Sequence, residues 1–406
     1  MLADLEKAIL DQILHLGVRY GNVRVTYWDG DTWEYSGGDG TDEPFLHVEI
    51  KDRKLVRRLL RNASLAVGEA YMRGNLLIDE ADLPQFFKLL AKNTLRTDHR
   101  QPYLKAPNRK SKQKGYIQHH YDVGNEYYEL LLGDTMVYSC AYFKMADDPL
   151  DRAQRQKITH LLRKLRLEER KGLKVLDIGC GWGHLAVAAA LAFDAEVVGI
   201  TLSKEQLEYA RQLAKREGVA EQVKFRLMNY QDLKGEEFDR VISVGMFEHV
   251  GKDNYGQYFG KVNELLVPGG VSVLHTITQQ RPRPTDAWVD KYIFPGGYLP
   301  TVSEIEKQLE KHSFHSVHRE DLAQHYAKTL DLWRERHREC KAKIVAMFNG
   351  KFDDLSGEEF YRMRDFWLAG SAGGFRYGKL GLGQFVFTKG KVQNSPLTWD
   401  FLYADE

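Results

Sequence analysis

Val175-Leu176-Asp177-Ile178-Gly179-Cys180-Gly181-Trp182-Gly183 is a short apolar run that breaks into three glycines at alternate positions. The run reads as a buried strand. The glycines end it in a tight turn, because only glycine takes φ > 0 without a Cβ penalty. The apolar stretch 184–193 that follows has the length of a helix. Working outward, strand-like runs at 174–178, 196–200, 223–227, 238–244 and 271–276 alternate with helical patterns at 184–193, 204–217, 255–265 and 303–311. Five strands separated by helices predict a parallel sheet with crossover helices, hence an α/β, doubly wound, Rossmann-like core.

Such a turn offers free backbone N–H groups to a ligand. Its spacing is G-x-G-x-G, not the dinucleotide G-x-G-x-x-G, and Asp177 precedes the first glycine by two residues. A carboxylate there repels a pyrophosphate but accepts hydrogen bonds from a cationic amino-acid ligand, which favours S-adenosylmethionine. About twenty residues on, where a dinucleotide fold places an acid on the ribose, stand Thr201, Leu202 and Ser203, with Gln206 one turn later. Hydroxyls and an amide are expected to hold the ribose. Gly179, Cys180, Gly181 and Gly183 complete the expected cofactor set from this segment.

Lys+Arg 58 against Asp+Glu 57 leaves a net charge of +1. That supplies no broad phosphate-binding surface and argues against a nucleic-acid partner. Three cysteines (Cys140, Cys180, Cys340) without a CxxC pair suit neither a disulfide framework nor a metal site. The longest apolar stretch, 185–193, is far short of the roughly 20 residues that span a bilayer. The N-terminus intersperses acids among its apolar residues, unlike a secretory signal, and predicts a cytoplasmic protein. At about one domain per 150 residues, 406 residues predict two to three domains. The divisions expected are a small α+β domain at 1–96, a basic linker at 97–114 and a catalytic domain at 115–406. In the first, a helix is expected at 4–17, strands at 23–35 and 45–50, and helices at 55–60 and 83–90. The linker carries Arg100, Lys105, Arg109, Lys110, Lys112 and Lys114, an excess of positive charge that an anionic membrane surface attracts.

Six segments then carry a resemblance: VLDIGCGWG, GITLSKEQ, FDRVISVGMFEHVG, LHTI, KYIFPGG and, upstream, HHYDVGNEYYELLLGDTMVYSCAYF. Together they are similar to the cyclopropane-fatty-acyl-phospholipid synthases, S-adenosylmethionine enzymes related to the mycolic acid cyclopropane synthases. The motifs run in the family's order over roughly residues 116–388. The resemblance implies methylation of a cis double bond in unsaturated phospholipid acyl chains. A carbocation then loses a proton to a bound bicarbonate ion and closes a cyclopropane. It implies a bicarbonate pocket of Cys140, Glu248, His275 and Tyr326 with backbone help from Ile277, and it adds Tyr138, Ser139 and Tyr230 to the cofactor set. It further implies peripheral association with the inner membrane face and a possible homodimer.

Two other outcomes remain open in the sequence. The same alkene methylation with a different proton lost gives methyl- or methylene-branched chains, and a catalytically dead methyltransferase fold would serve as a lipid-binding protein. One departure from the family falls in FWLAGSAGGFRYGKL, where many relatives carry Cys and this chain has Ser371, so no thiolate acts there.

Overall fold

The computed structural model describes residues 2–94, 123–391 and 396–403. The expected basic linker at 97–114 lies outside the described residues. The chain divides into two compact units. The first holds the described residues up to 94 together with Asp286–Ile293 and Leu330–Lys379; the second holds the remainder.

The second unit contains a seven-stranded sheet. Its strands are β5 (Lys174–Ile178), β6 (Glu196–Thr201), β7 (Val223–Leu227), β8 (Phe238–Val244), β9 (Leu266–Gln279), β10 (Phe314–Asp321) and β11 (Leu380–Lys389). They lie in the order β10-β11-β9-β8-β5-β6-β7. The five predicted strands form, and they pair in parallel. The expected doubly wound core is therefore present, extended by two strands that the sequence reading did not anticipate: β11 pairs antiparallel with β9, and β10 pairs antiparallel with β11 at the sheet edge. Both additions are polar or glycine-broken, FHSVHRED and LGLGQFVFTK, and so lack the uninterrupted apolar signature of a buried parallel strand.

Alternate residues of the strands serve opposite faces. Val175, Val271, Val273 and Val386 join Leu161 and Leu162 of the helix Leu150–Lys164 in one core cluster. Leu176, Ile178, Leu274 and Phe385 join the helix Tyr255–Leu265 in the other. This alternation positions the site. Continuing the first face one step toward the strand ends gives Asp177 after Val175 and His275 after Val273, while Gln384 lies two residues before Val386. These polar residues end the layer that the helix Leu150–Lys164 covers.

In the first unit a four-stranded sheet runs β2-β1-β3-β4, formed by β1 (Asn22–Thr26), β2 (Thr32–Ser36), β3 (Leu46–Ile50) and β4 (Leu76–Leu77). The single run expected at 23–35 is two strands, because Trp28-Asp29-Gly30-Asp31 turns the chain, with Gly30 at φ +90°. The expected catalytic domain 115–406 does not hold together as one unit, since residues 286–293 and 330–379 pack with the N-terminal residues. Apolar packing is the reason. Phe366, on the helix Gly357–Arg376, stacks on Tyr71 at 5.0 Å and meets Phe87 edge-on at 4.8 Å. A Cβ at Gly370 would come within 2.9 Å of the Phe87 ring, so glycine allows this close approach. Ser371 lies on the same helix. No helix among the described residues is long and apolar enough to cross a membrane.

Candidate active site

The glycine turn walls a cavity at the carboxyl ends of β5, β6 and β8, where ligands bind in open α/β sheets. Gly179, Gly181 and Gly183 have φ of +84°, +54° and +90°. The N–H groups of Gly179 and Cys180 both bond to Ile200 O, at 2.9 and 3.0 Å, which folds the turn back onto β6. A Cβ at Gly179 would meet Met246 at 2.8 Å, whereas one at Gly181 would meet nothing within 4 Å. Gly181 therefore borders open space in the cavity wall.

Eleven of the twelve expected cofactor residues line this cavity: Tyr138, Ser139, Asp177, Gly179, Cys180, Gly181, Gly183, Thr201, Leu202, Gln206 and Tyr230. Ser203 does not line it. Its side chain instead caps the helix Lys204–Arg216, accepting from Gln206 N at 3.3 Å. That cap steadies the turn from which Thr201 Oγ1 donates to Gln206 Oε1 at 2.8 Å.

The cavity floor holds two buried ionisable groups. Lys157 is 1% exposed, and its Nζ donates to Ser139 Oγ at 2.9 Å. Burial lowers its pKa to about 8, with Cys140 and Asp177 pulling the other way. Burial raises that of Asp177 to about 7, opposed by Lys157. Each group opposes the shift that burial imposes on the other, so the two are coupled across the floor.

Behind this wall lie Cys140, Glu248, His275, Ile277 and Tyr326, none of which lines the cavity. Strand register assembles them. Gly245 N bonds to His275 O at 2.9 Å, which ties the end of β8 to β9. Three residues on, Glu248 Oε1 accepts from Ile277 N at 2.7 Å. Ile277 faces Leu382 across the β9–β11 pair, and Leu382 O accepts from Leu322 N at 2.8 Å. Leu322 O in turn receives Tyr326 N at 3.0 Å and lies 3.8 Å from Cys140 Sγ. The five expected residues are thus linked through consecutive contacts, although the Ile277 N–H is taken by Glu248.

The chemistry of this second region is set by burial. It pushes the Cys140 thiol well above its ordinary pKa, so the sulfur is a neutral thiol and no nucleophile. Burial also raises Glu248, against the bond from Ile277 N–H, and holds His275 well below the usual imidazole range, helped by Lys157 and Lys164. Glu248 Oε2 and His275 Nε2 are both buried with no hydrogen-bond partner among the described residues. Unpaired polar atoms in such surroundings cost roughly 1–3 kcal/mol each, which a ligand would recover.

The sequence profile of mycolic acid cyclopropane synthetases matches residues 108–385, and that of a domain of unknown function matches residues 9–95. The chain belongs to the mycolic acid cyclopropane synthetase family. Two relatives extend the likeness over most of the chain. The cyclopropane-fatty-acyl-phospholipid synthase of Escherichia coli K12 is 38% identical over 358 residues, covering 86% of this chain and 88% of that one. A probable fatty acid methyltransferase of Pseudomonas putida is 37% identical over 399 residues, covering 96% and 95%. The structure of the cyclopropane synthase MmaA2 from Mycobacterium tuberculosis aligns with a TM-score of 0.62 at 35% identity, covering 68% of this chain and 98% of that one. Mycolic acid cyclopropane synthase CmaA1 complexed with SAH and CTAB gives the same TM-score at 34% identity. This cyclopropane synthetase family member is an S-adenosylmethionine-dependent methyltransferase, as the resemblance implied.

The sequence reading of this methyltransferase missed Lys157 and His184, which line the cavity, and Lys164 and Gln384, which lie behind it. A signal for the lysines existed. Gln154, Lys157, His160 and Lys164 recur at helical spacing, and all four are buried on a helix that also buries Leu161 and Leu162. A polar stripe on the covered face of a helix marks groups kept for a purpose other than solvation.

Proposed function

We propose that this protein transfers a carbon from S-adenosylmethionine to the cis double bond of an unsaturated acyl chain in membrane phospholipid, closing a cyclopropane, with bicarbonate as the base. The observation that carries the base is the pair of buried, unpartnered atoms, Glu248 Oε2 and His275 Nε2. One is an acceptor on a carboxylate and the other a donor when the neutral ring carries its proton there. Bicarbonate has one O–H to give and two oxygens to receive, and so matches both. The Cys140 Sγ and the Tyr326 N–H meet at Leu322 O in the same region.

S-adenosylmethionine supplies an electrophilic methyl on a sulfonium, which the alkene electron pair takes without any protein nucleophile. The open space at Gly181, the buried polar groups of Lys157 and Asp177, and the Thr201–Gln206 pair fit its amino-acid and ribose ends. Trp182 is fixed by its Nε1–H to Asn125 Oδ1 at 2.9 Å and packs on Tyr128, which meets Tyr138 at 5.2 Å. These π faces suit a transient cation and exclude water from it. The proton released as the ring closes leaves to the base, and Glu248 and His275 hold that base in place.

A second reading, a methyl- or methylene-branched product, is supported by the fatty acid methyltransferase name of the Pseudomonas putida relative. The deciding experiment is lipid analysis of cells expressing the protein. A gain of one CH2 that survives mild hydrogenation unchanged supports the ring. A product that takes up hydrogen, or that already carries two extra hydrogens, replaces it with the branched reading. The basic segment 97–114 is proposed to dock on anionic lipid, so reversing Lys110, Lys112 and Lys114 should weaken salt-sensitive vesicle binding. Binding indifferent to that change and to salt would leave the segment a connector.

A further inference from the structure

Proton placement on His275 is decided two residues away from the ring. His275 is 1% exposed, and its Nδ1 lies 3.1 Å from Gln384 Nε2. At its other end Gln384 Oε1 lies 2.6 Å from Lys164 Nζ. An ammonium has only donors, so the amide oxygen must face it, and the amide nitrogen, which has only donors, must face the ring. Nδ1 then accepts. A neutral imidazole that accepts at Nδ1 carries its hydrogen at Nε2.

Burial lowers the pKa of Lys164, and Glu320, bonded to its Nζ, opposes that shift and favours the ammonium. Glu320 Oε2 also lies 2.7 Å from His160 Nε2, and Glu320 Oε1 accepts from Tyr403 OH at 3.3 Å. Burial disfavours ionised Glu320, but His160 and Lys164 outweigh it and hold its pKa at about 2. Lys157 and Lys164, the cations acting on the ring, oppose a second proton. The chain Glu320–Lys164–Gln384–His275 therefore has a single direction of hydrogen bonding.

We propose that Lys164 and Gln384 are positioning residues that lock neutral His275 in its Nε2–H tautomer, giving the site a hydrogen-bond donor for a bound oxyanion. The use of that donor rests on the bicarbonate reading, whereas the tautomer does not. The identity of residue 384 is the control: an amide passes the lysine's polarity to the ring, and a carboxylate would reverse it.

The test is long-range 1H–15N correlation on full-length protein labelled with 15N-histidine, without bicarbonate or lipid, with His275 assigned by its loss in His275→Asn. The wild type should show Nε2 protonated and Nδ1 bare. In Gln384→Glu the new carboxylate accepts from both Lys164 and the ring, so the hydrogen should move to Nδ1, and stimulation of turnover by bicarbonate should fall roughly tenfold. Gln384→Met, which removes the donor without adding charge, should give a mixture of tautomers, and Lys164→Arg, which keeps a donor-only cation, should leave the wild-type pattern unchanged. A wild-type ring protonated at Nδ1 would overturn the proposal, as would an unchanged tautomer in both Gln384 variants. Wild-type Nε2–H together with turnover indifferent to bicarbonate would keep the tautomer and remove the bicarbonate reading.

Discussion

The glycine-turn cavity and the polar region behind it are neighbours in one sheet, yet they are built on opposite principles. The cavity is defined by shape, with three glycines at positive φ and open space where a Cβ would stand at Gly181. The region behind is defined by unmet hydrogen bonds on Glu248 and His275, in surroundings that disfavour charge. Shape selects a bulky ligand through the backbone, and unmet polarity selects a small ligand through its donors and acceptors. Damage to one should therefore leave the other's ligand nearly untouched.

The largest effect should come from filling the shape. Gly181→Val puts a branched side chain into the cavity wall at φ +54°, and should weaken S-adenosylmethionine binding by about 100-fold or more. Calorimetry reads this, with a melt of the variant confirming the fold; unchanged affinity would break the comparison at its first term. Next, Glu248→Gln should lower turnover roughly 10²- to 10³-fold while leaving S-adenosylmethionine affinity within about threefold. A parallel loss of cofactor affinity would merge the two regions into one.

A smaller effect tests the cavity floor. Asp177 holds a proton in the fold up to about pH 7 that an ordinary aspartate releases near 3.8. The folded state thus binds more protons than the unfolded one across that window, and stability falls as pH rises through it. Asp177→Asn should remove this fall and leave the cofactor-free protein more stable than wild type above pH 7, by on the order of 4 kcal/mol. Melting curves from pH 4 to 8 that stay parallel for the two proteins would contradict the assignment. The smallest effect belongs to Ser203→Ala, which removes a helix cap worth about 1 kcal/mol and should weaken cofactor binding only about threefold, through Gln206. A loss as large as that of Gly181→Val would put Ser203 in direct contact with the ligand.

The same contrast explains what could be read from the chain alone. The cavity announces itself in nine consecutive residues, 175–183, because one strand, one turn and one helix start bring Asp177 to Gly183 to its wall without a break. Of the residues that complete that wall, Lys157 shows in the sequence only as one member of a polar helical stripe, with nothing to say that the stripe is covered. Its face of the helix Leu150–Lys164 becomes buried only when β5 and β9 lie beneath it. The residues expected to hold the base are scattered over positions 140, 248, 275 and 326, and the resemblance, not spacing, brought them together. Strand register then supplied the physical links, from Gly245 to His275 and from Glu248 to Ile277. Gln384 escaped altogether, because β11 was unrecognised and nothing in LGLGQFVFTK says which face its glutamine takes. The unit boundary escaped for a similar reason, since Phe366 finds Tyr71 and Phe87 only in three dimensions.

The central claim is that the unpaired atoms of Glu248 and His275 hold a bicarbonate base, and buffer composition tests it most directly. Wild-type turnover is measured in buffer stripped of bicarbonate and again after adding it back, beside Glu248→Gln. The account predicts a slow wild type that recovers on addition and a Glu248→Gln protein that responds weakly. A wild-type rate indifferent to bicarbonate would contradict it and make a side chain, His275 or Glu248 itself, the base.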